Sequence, residues 1–456
     1  MLKSVLFQIG KIMPETSDPK PLSDSAPFKY VDFDIVDSTL SCNYELGDFS
    51  FTEKIVIEGD WSKPQTQEAA RLVFLLAGIS YYKSHAPSKI DLGQTPVRSG
   101  EIDFLIQYYK GGLGEFSYKN GLSLKNLVID GGVAAGPAPI MDAPENEAPL
   151  IPFGGGIDSI VTVELSRRSH PSSKLFVMSP GTTKFAALEE AAKVTGLEII
   201  RAERHLDPQI LKSKENGFLN GHVPVTGILS AIAITAATIN NRTAVLMSNE
   251  RSASEGNLIY DGSMINHQYS KSIEFENLFR EVLTSSFGAA PDWFSFLRHR
   301  NEMWIAKQFS QLKPYHPVFR SCNRAFHIKE EDRAITWCGV CDKCCFIDLI
   351  LSPFVPQAEL SEMFGGKEPL DNSELVDVFI SLVSSDPAFN KPFECVGDIG
   401  ECRQAVIAAS QRHDRQGNAI LGQLIKFDAV DSQEDEADVK HPHNIPEAYA
   451  TPSIVD

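Results

Sequence analysis

The chain has 456 residues, 43% hydrophobic and 22% charged, an ordinary globular composition that excludes collagen-like and wholly disordered classes. Its formal net charge of -18 and pI of about 5.1 argue against a non-specific nucleic-acid binder, which neutralises phosphates with clustered Lys and Arg. Residues 1–21 put a lysine before a short apolar run but lack a long apolar region and a small-residue cleavage site, and the most apolar stretch, residues 223–239, is broken by Pro224, Thr226, Ser230, Thr235 and Thr238, so the expectation is a cytoplasmic protein with no membrane partner.

Residues 28–57 alternate polar with β-branched or aromatic side chains, punctuated by Asp and Gly, which predicts short antiparallel strands. Apolar residues at helical spacing predict a helix over residues 65–82 and another over 97–111, before the segment GLGEFSYKNGL. Residues 1–135 therefore read as an α+β N-terminal domain. Residues 136–149, within a Gly-, Ala- and Pro-rich stretch lacking periodicity, are expected to be a linker. After it the pattern changes: LIPF, KLFVMSP, LEIIRAE and TAVLMSN read as strands, alternating with helices SIVTVELSRRS, KFAALEEAAKVTG and VTGILSAIAITAATIN. Such alternation predicts an α/β domain over residues 150–320, with a parallel sheet covered on both faces. A Cys-cluster and helical C-terminal region follows over 321–427. In residues 428–456, Asp431, Glu434, Asp435, Glu436 and Asp438 crowd together before Pro442 and Pro446, the pattern of a solvated, mobile acidic tail.

The strand LIPF runs into Gly154, Gly155, Gly156, Ile157, Asp158 and Ser159 and then straight into a helix. Backbone N–H groups and a helix N-terminus hold phosphate in this arrangement, and glycines permit its close approach. The lysine of a Walker loop is absent. A polar loop, residues 248–257, ends a later strand, where ligands of open α/β sheets bind. Within it Asn249 is a candidate nucleotide contact, Glu250 or Glu255 could take metal or a proton, and Arg251 could pair with phosphate or carboxylate. His267, Tyr269 and Lys271 in NHQYSKS are further candidates, and Lys271 is taken with the catalytic set.

Of eight cysteines, Cys338, Cys341, Cys344 and Cys345 fall within eight residues, a clustering that in a cytosolic chain indicates metal or catalysis rather than disulfides. Cys338, Cys341 and Cys344 have knuckle spacing, and Cys322 supplies a fourth thiolate for structural Zn2+; an iron-sulfur cluster is the rival. Cys345 is then spare.

The Gly-rich segment resembles the PP-loop of the N-type ATP pyrophosphatase superfamily, Ser-Gly-Gly-any-Asp-Ser, with Gly155, Gly156, Asp158 and Ser159 matching and Gly154 in place of the first serine. The resemblance implies a HUP-like fold that cleaves ATP between its α and β phosphates, Asp158 helping to hold Mg2+ and Ser159 binding the departing pyrophosphate. Ser321-Cys322 and Cys338 to Cys344 resemble the zinc site of 7-cyano-7-deazaguanine synthases. Taken in order, FTEKIVIEG, GLGEFSYKNGL, PFGGGIDS, SNERSASEGN, NHQYSKS, WCGVCDKCCF and KPFECVG resemble the UDP-N-acetylmuramoyl-L-alanyl-L-glutamate epimerase family of bacterial cell-wall synthesis. That resemblance implies ATP- and Mg2+-dependent inversion of the terminal L-Glu of UDP-MurNAc-L-Ala-L-Glu. Cys345, Cys395, His267 and Glu250 are all open as the proton-abstracting base, Cys395 being taken with the catalytic set. A PP-loop ligase or thiolating enzyme is the alternative reading.

Overall fold

Turns at Asp37-Ser38 and Gly47-Asp48, with Asp37 at φ 52° and Gly47 at φ 59°, connect β1 (Phe28–Val36), β2 (Thr39–Leu46) and β3 (Phe49–Val56). Positive φ at the start of a two-residue loop matches the right-handed twist of the strands it joins. The register aligns Tyr30 with Tyr44 and Tyr44 with Phe51. These rings form one buried face, which packs on Phe74 and Tyr81 from the helices that follow. The computed structural model describes residues 18–139, 148–288, 291–327, 330–334, 336–386, 389, 391–427, 441–450 and 454.

The remaining strands of the main sheet are β4 (Lys89–Asp91), β5 (Val128–Asp130), β6 (Leu150–Pro152), β7 (Lys174–Pro180), β8 (Ile199–His205), β9 (Ala244–Met247) and β10 (Asp292–Ser295). Together the ten strands make one mostly parallel sheet in the order β10-β9-β6-β7-β8-β3-β2-β1-β4-β5. Strands β6 to β10 are all parallel, winding outward from β6 in both directions, so a crevice opens at the carboxyl end of β6 where the winding reverses. The N-terminal strands are not a separate sheet. Strand β8 pairs antiparallel with β3, Arg204 opposite Ile55, and the junction is fixed by the buried Arg204 guanidinium, which donates to Glu53 at 2.8 and 3.1 Å and to Ser80 at 2.9 Å. Breaking so buried a pair costs about 3–5 kcal/mol.

Beyond the sheet, helices Asp342–Leu351, Val376–Val383, Ile399–Ser410 and Ala419–Phe427 pack together. The helix Glu302–Phe309 joins them to the helix Ile157–Ser169 that follows β6. The apolar helix Val225–Ile239 packs on Pro64–Ala77, and among the described residues no helix is long and apolar enough to cross a membrane.

Two sequence expectations meet the structure at the linker and the tail. Most of the linker, residues 140–147, and the acidic run 428–440 lie outside the described residues. The expected mobile tail does not extend over residues 441–450. Tyr449 is buried, its ring 4.4 Å from that of His170 and 5.1 Å from that of Phe294, because an aromatic side chain on an otherwise polar segment gains more by covering the sheet edge than by remaining in water.

Candidate active site

The loop Phe153–Gly156 carries β6 into the helix Ile157–Ser169. Gly155 sits at φ +74°, and Gly156 lies so close to the Ser321 hydroxyl that an added Cβ would stand 2.7 Å from it. A larger residue at Gly156 would therefore displace the hydroxyl of Ser321, the neighbour of Cys322. Arg320 N donates to Gly155 O at 3.1 Å, and Ser159 Oγ donates to Gly156 O at 3.0 Å. Gly154 is exposed, with open space where its Cβ would be. The loop thus presents the first backbone N–H groups of the helix toward the sheet's crevice, the arrangement that favours phosphate.

Three carboxylates converge beside it. Asp158, in the helix's first turn, Glu250, just after β9, and Glu302, first residue of its own helix, place carboxylate oxygens within 4.8 Å of one another. Asp158 Oδ1 and Glu302 Oε2 are shut off from solvent with no hydrogen-bond partner. Burial and then the Glu250 charge push the Asp158 carboxyl up to about 7, against Lys343 and Lys271. Clustered carboxylates with two orphaned oxygens fit a hard divalent cation such as Mg2+, whose charge would offset their mutual repulsion.

A thiol faces these acids. Lys271 Nζ is 3.1 Å from Cys395 Sγ, and His267 also bonds that thiol while its Nδ1 meets the Glu115 carboxylate. Burial alone would raise the Cys395 thiol; the Lys271 charge, the His267 hydrogen bond and Lys343 outweigh it and bring it down to about 6. Burial opposes charge on His267 too, but Cys395 and Glu115 lift it to about 9. Lys271 is held above its usual value, since Cys395 and Glu250 outweigh its burial. His222, with its ring 4.2 Å from that of His267, is pushed down to about 4 by burial and by that charged neighbour. At neutral pH the arrangement is a thiolate clasped by an ammonium and an imidazolium, a nucleophile or base maintained without external help.

The four cysteines Cys322, Cys338, Cys341 and Cys344 place their sulfurs within 4.8 Å of one another. Cys344 Sγ is 3.6 Å from Cys338 Sγ and 3.5 Å from Cys341 Sγ. Tetrahedral zinc with Zn–S near 2.3 Å requires sulfurs about 3.8 Å apart, so the donor set and spacing fit Zn2+ with all four positions closed by thiolate.

The model of the MurL N-terminal domain matches residues 20–296, and that of the MurL C-terminal domain matches residues 318–440. The chain belongs to the MurL family. Among its curated relatives, UDP-N-acetyl-alpha-D-muramoyl-L-alanyl-L-glutamate epimerase of Salinispora tropica is 35% identical, over 86% of this chain and 86% of that protein. The enzyme of the same name from Xanthomonas oryzae pv. oryzae is 35% identical, over 79% of this chain and 78% of its own. The site draws on both MurL regions: Asp158, Glu250 and Lys271 come from the first and Lys343 and Cys395 from the second, while Glu302 stands on the helix between them.

Within this MurL chain the remaining candidates divide. Asn249 is buried and spends its amide nitrogen on Ser295 Oγ at 2.9 Å, tying β9 to β10. Arg251 turns toward the C-terminal segment, 2.9 Å from His441 Nε2 and 3.8 Å from Glu401. Tyr269 lies beside the site rather than in the thiol's contacts. Cys345 is fully buried in the apolar core, its thiol pushed up by burial, an environment that disfavours the thiolate. Glu302, Lys343, Glu115 and His222 were not anticipated. Lys343 lies between two cysteines of the knuckle and bonds the Cys395 carbonyl; its position inside CGVCDKC was the one signal available.

Proposed function

We propose that this chain is an ATP-dependent isomerase that converts the terminal L-glutamate of UDP-N-acetylmuramoyl-L-alanyl-L-glutamate to D-glutamate, on the way to a peptidoglycan precursor. The observation that carries the reading is the Cys395 thiolate, held by Lys271 and His267 and facing the acid cluster at the Gly-rich loop. The substrate class follows from the names of the relatives.

An ordinary carboxylate resists loss of its α proton, because deprotonation builds a second negative charge beside the first. Joining it to AMP removes that charge. The substrate carboxylate oxygen attacks the α phosphorus of ATP, pyrophosphate leaves, and an acyl-adenylate forms. The loop N–H groups of Gly154, Gly155 and Gly156 with Ser159 hold phosphate; Asp158, Glu250 and Glu302 would hold Mg2+, which when bound supplies positive charge to the phosphate oxygens. Cys395 then takes the α proton, and Lys271 and His267 hold the thiolate in its basic form. A solvent-derived proton adds to the opposite face of the planar carbon, the thiol passes its own proton to solvent, and water releases AMP. Zinc held by Cys322, Cys338, Cys341 and Cys344 would be structural, fixing the start of the helix Asp342–Leu351 and with it Lys343.

The test is incubation with ATP, Mg2+ and UDP-MurNAc-L-Ala-L-Glu, followed by acid hydrolysis, chiral separation of glutamate and measurement of AMP. D-Glutamate with stoichiometric AMP is expected. AMP with glutamate still L and joined to a new amine would make the protein a ligase.

A further inference from the structure

The segment from Ser254 to Glu274 serves two spaces. Its turn Tyr269–Lys271 contributes Lys271 to the thiol site, while Tyr269 and Glu274 line a separate cavity of about 480 Å³. The GLGEFSYKNGL segment is shared in the same way, Glu115 partnering His267 while Gly114 and Ser117 line the cavity. Reaction centre and cavity are thus one turn of chain apart. Close approach packs one side of the cavity: a Cβ added at Gly111 would meet the Tyr269 ring at 2.4 Å.

The volume is that of a small-molecule site, and its walls are chemically sorted. Lys110 lines the cavity and forms no ion pair among the described residues, in a chain of net charge -18. Beside it is Lys125, which pairs with Asp261 at 2.7 Å. Lys110, with no acidic partner among the described residues, calls for an oxyanion; carboxylates accept from sugar hydroxyls; the Tyr260 ring offers a flat face to a base.

We propose that this cavity holds a nucleoside diphosphate, the nucleotide end of the substrate whose glutamyl end lies at Cys395. The inference rests on the substrate reading above and assigns that substrate's direction across the protein: diphosphate at Lys110 and Lys125, peptide toward Lys271.

The experiment titrates UDP into the full-length protein by calorimetry with a non-hydrolysable ATP analogue filling the Gly-rich loop. It is repeated with Lys110→Met and with Ser263→Trp, which fills the cavity with an indole. Expected are saturable UDP binding to the wild type and at least tenfold weaker binding in each variant. The ratio of kcat/KM for the UDP-linked dipeptide to that for free L-Ala-L-Glu should fall by a similar factor. Unchanged UDP affinity in both variants, with circular dichroism like that of the wild type, overturns the assignment. So does a wild type that epimerises the UDP-linked substrate but does not bind UDP. If the wild type binds UDP and both variants lose it while no glutamate is inverted, the cavity stands and the proposed reaction falls.

Discussion

Lys271 Nζ stands 3.1 Å from Cys395 Sγ, although the two residues are separated by 124 positions and lie in different matched regions of the chain. The contact fixes the protonation state of the thiol. With the charge of Lys271 present, Cys395 is brought down to about 6, so the basic form accumulates as pH rises through that value. The acid limb of kcat/KM should therefore lie near pH 6. In Lys271→Met, burial acts with less opposition and the limb should move up to or beyond the ordinary thiol value of about 8.5, lowering activity at pH 7 by roughly 30-fold or more. Cys395→Ala should lose about 10²- to 10⁴-fold in turnover. An acid limb that stays near 6 in Lys271→Met would show that another group is the base.

Asp158 is placed for charge rather than for packing. Its Oδ1 has no partner, and Glu250 and burial both disfavour its ionisation. Asp158→Asn should reduce AMP formation by roughly 100-fold or more while leaving the melting temperature unchanged or higher, since it relieves repulsion that the fold tolerates for function. Calorimetry and an AMP assay on the same preparation decide the matter. Wild-type AMP release from the variant would remove Asp158 from the phosphate site.

The cysteine cluster makes a separable prediction. Elemental analysis should give about one zinc per chain, and Cys341→Ser should lower the melting temperature by roughly 5 °C or more, because the metal's binding free energy is part of the folding free energy. Activity should fall as well, since the knuckle leads directly into Lys343, which bonds the Cys395 carbonyl. Cys345→Ala, removing a thiol from the apolar core instead, should leave zinc content intact. Iron and sulfide in place of zinc would overturn the metal assignment.

Local pattern determined what the sequence revealed. Strands β6 to β9 and the helices between them were readable to within a few residues because each is written in contiguous periodicity. The pairing of β8 with β3 was not: Arg204 and Glu53 are 151 positions apart, and an antiparallel join between distant segments leaves no local trace. The Gly-rich loop was legible as a strand-to-helix turn for the same reason as the strands, its glycines lying between a strand and a helix. Glu302 was invisible because it is a charged residue at an ordinary helix start, and Lys343 was marked only by its place inside CGVCDKC. Neither Cys345 in CDKCCF nor Cys395 in KPFECVG carries a local mark of its surroundings; only tertiary placement gives one an apolar core and the other Lys271 and His267.

The sharpest prediction concerns the order of chemistry. If the carboxylate must lose its charge before the α proton can leave, turnover in D2O should place one deuterium on the glutamate α carbon only when ATP and Mg2+ are both present. The thiol holds the abstracted proton while one from solvent adds to the opposite face, and it loses that proton to water before the next turnover, so the label enters at the inverted centre. Mass measurement of recovered glutamate reads the label, and chiral separation shows whether it resides in the D product. Cys395→Ala should still form AMP slowly, because the Gly-rich loop and its acids are untouched, yet incorporate no deuterium; that split assigns the proton transfer to the thiol and the phosphate chemistry to the loop. Exchange at full rate without ATP would mean that the bare carboxylate is competent, and the acyl-adenylate would then have no part in the inversion.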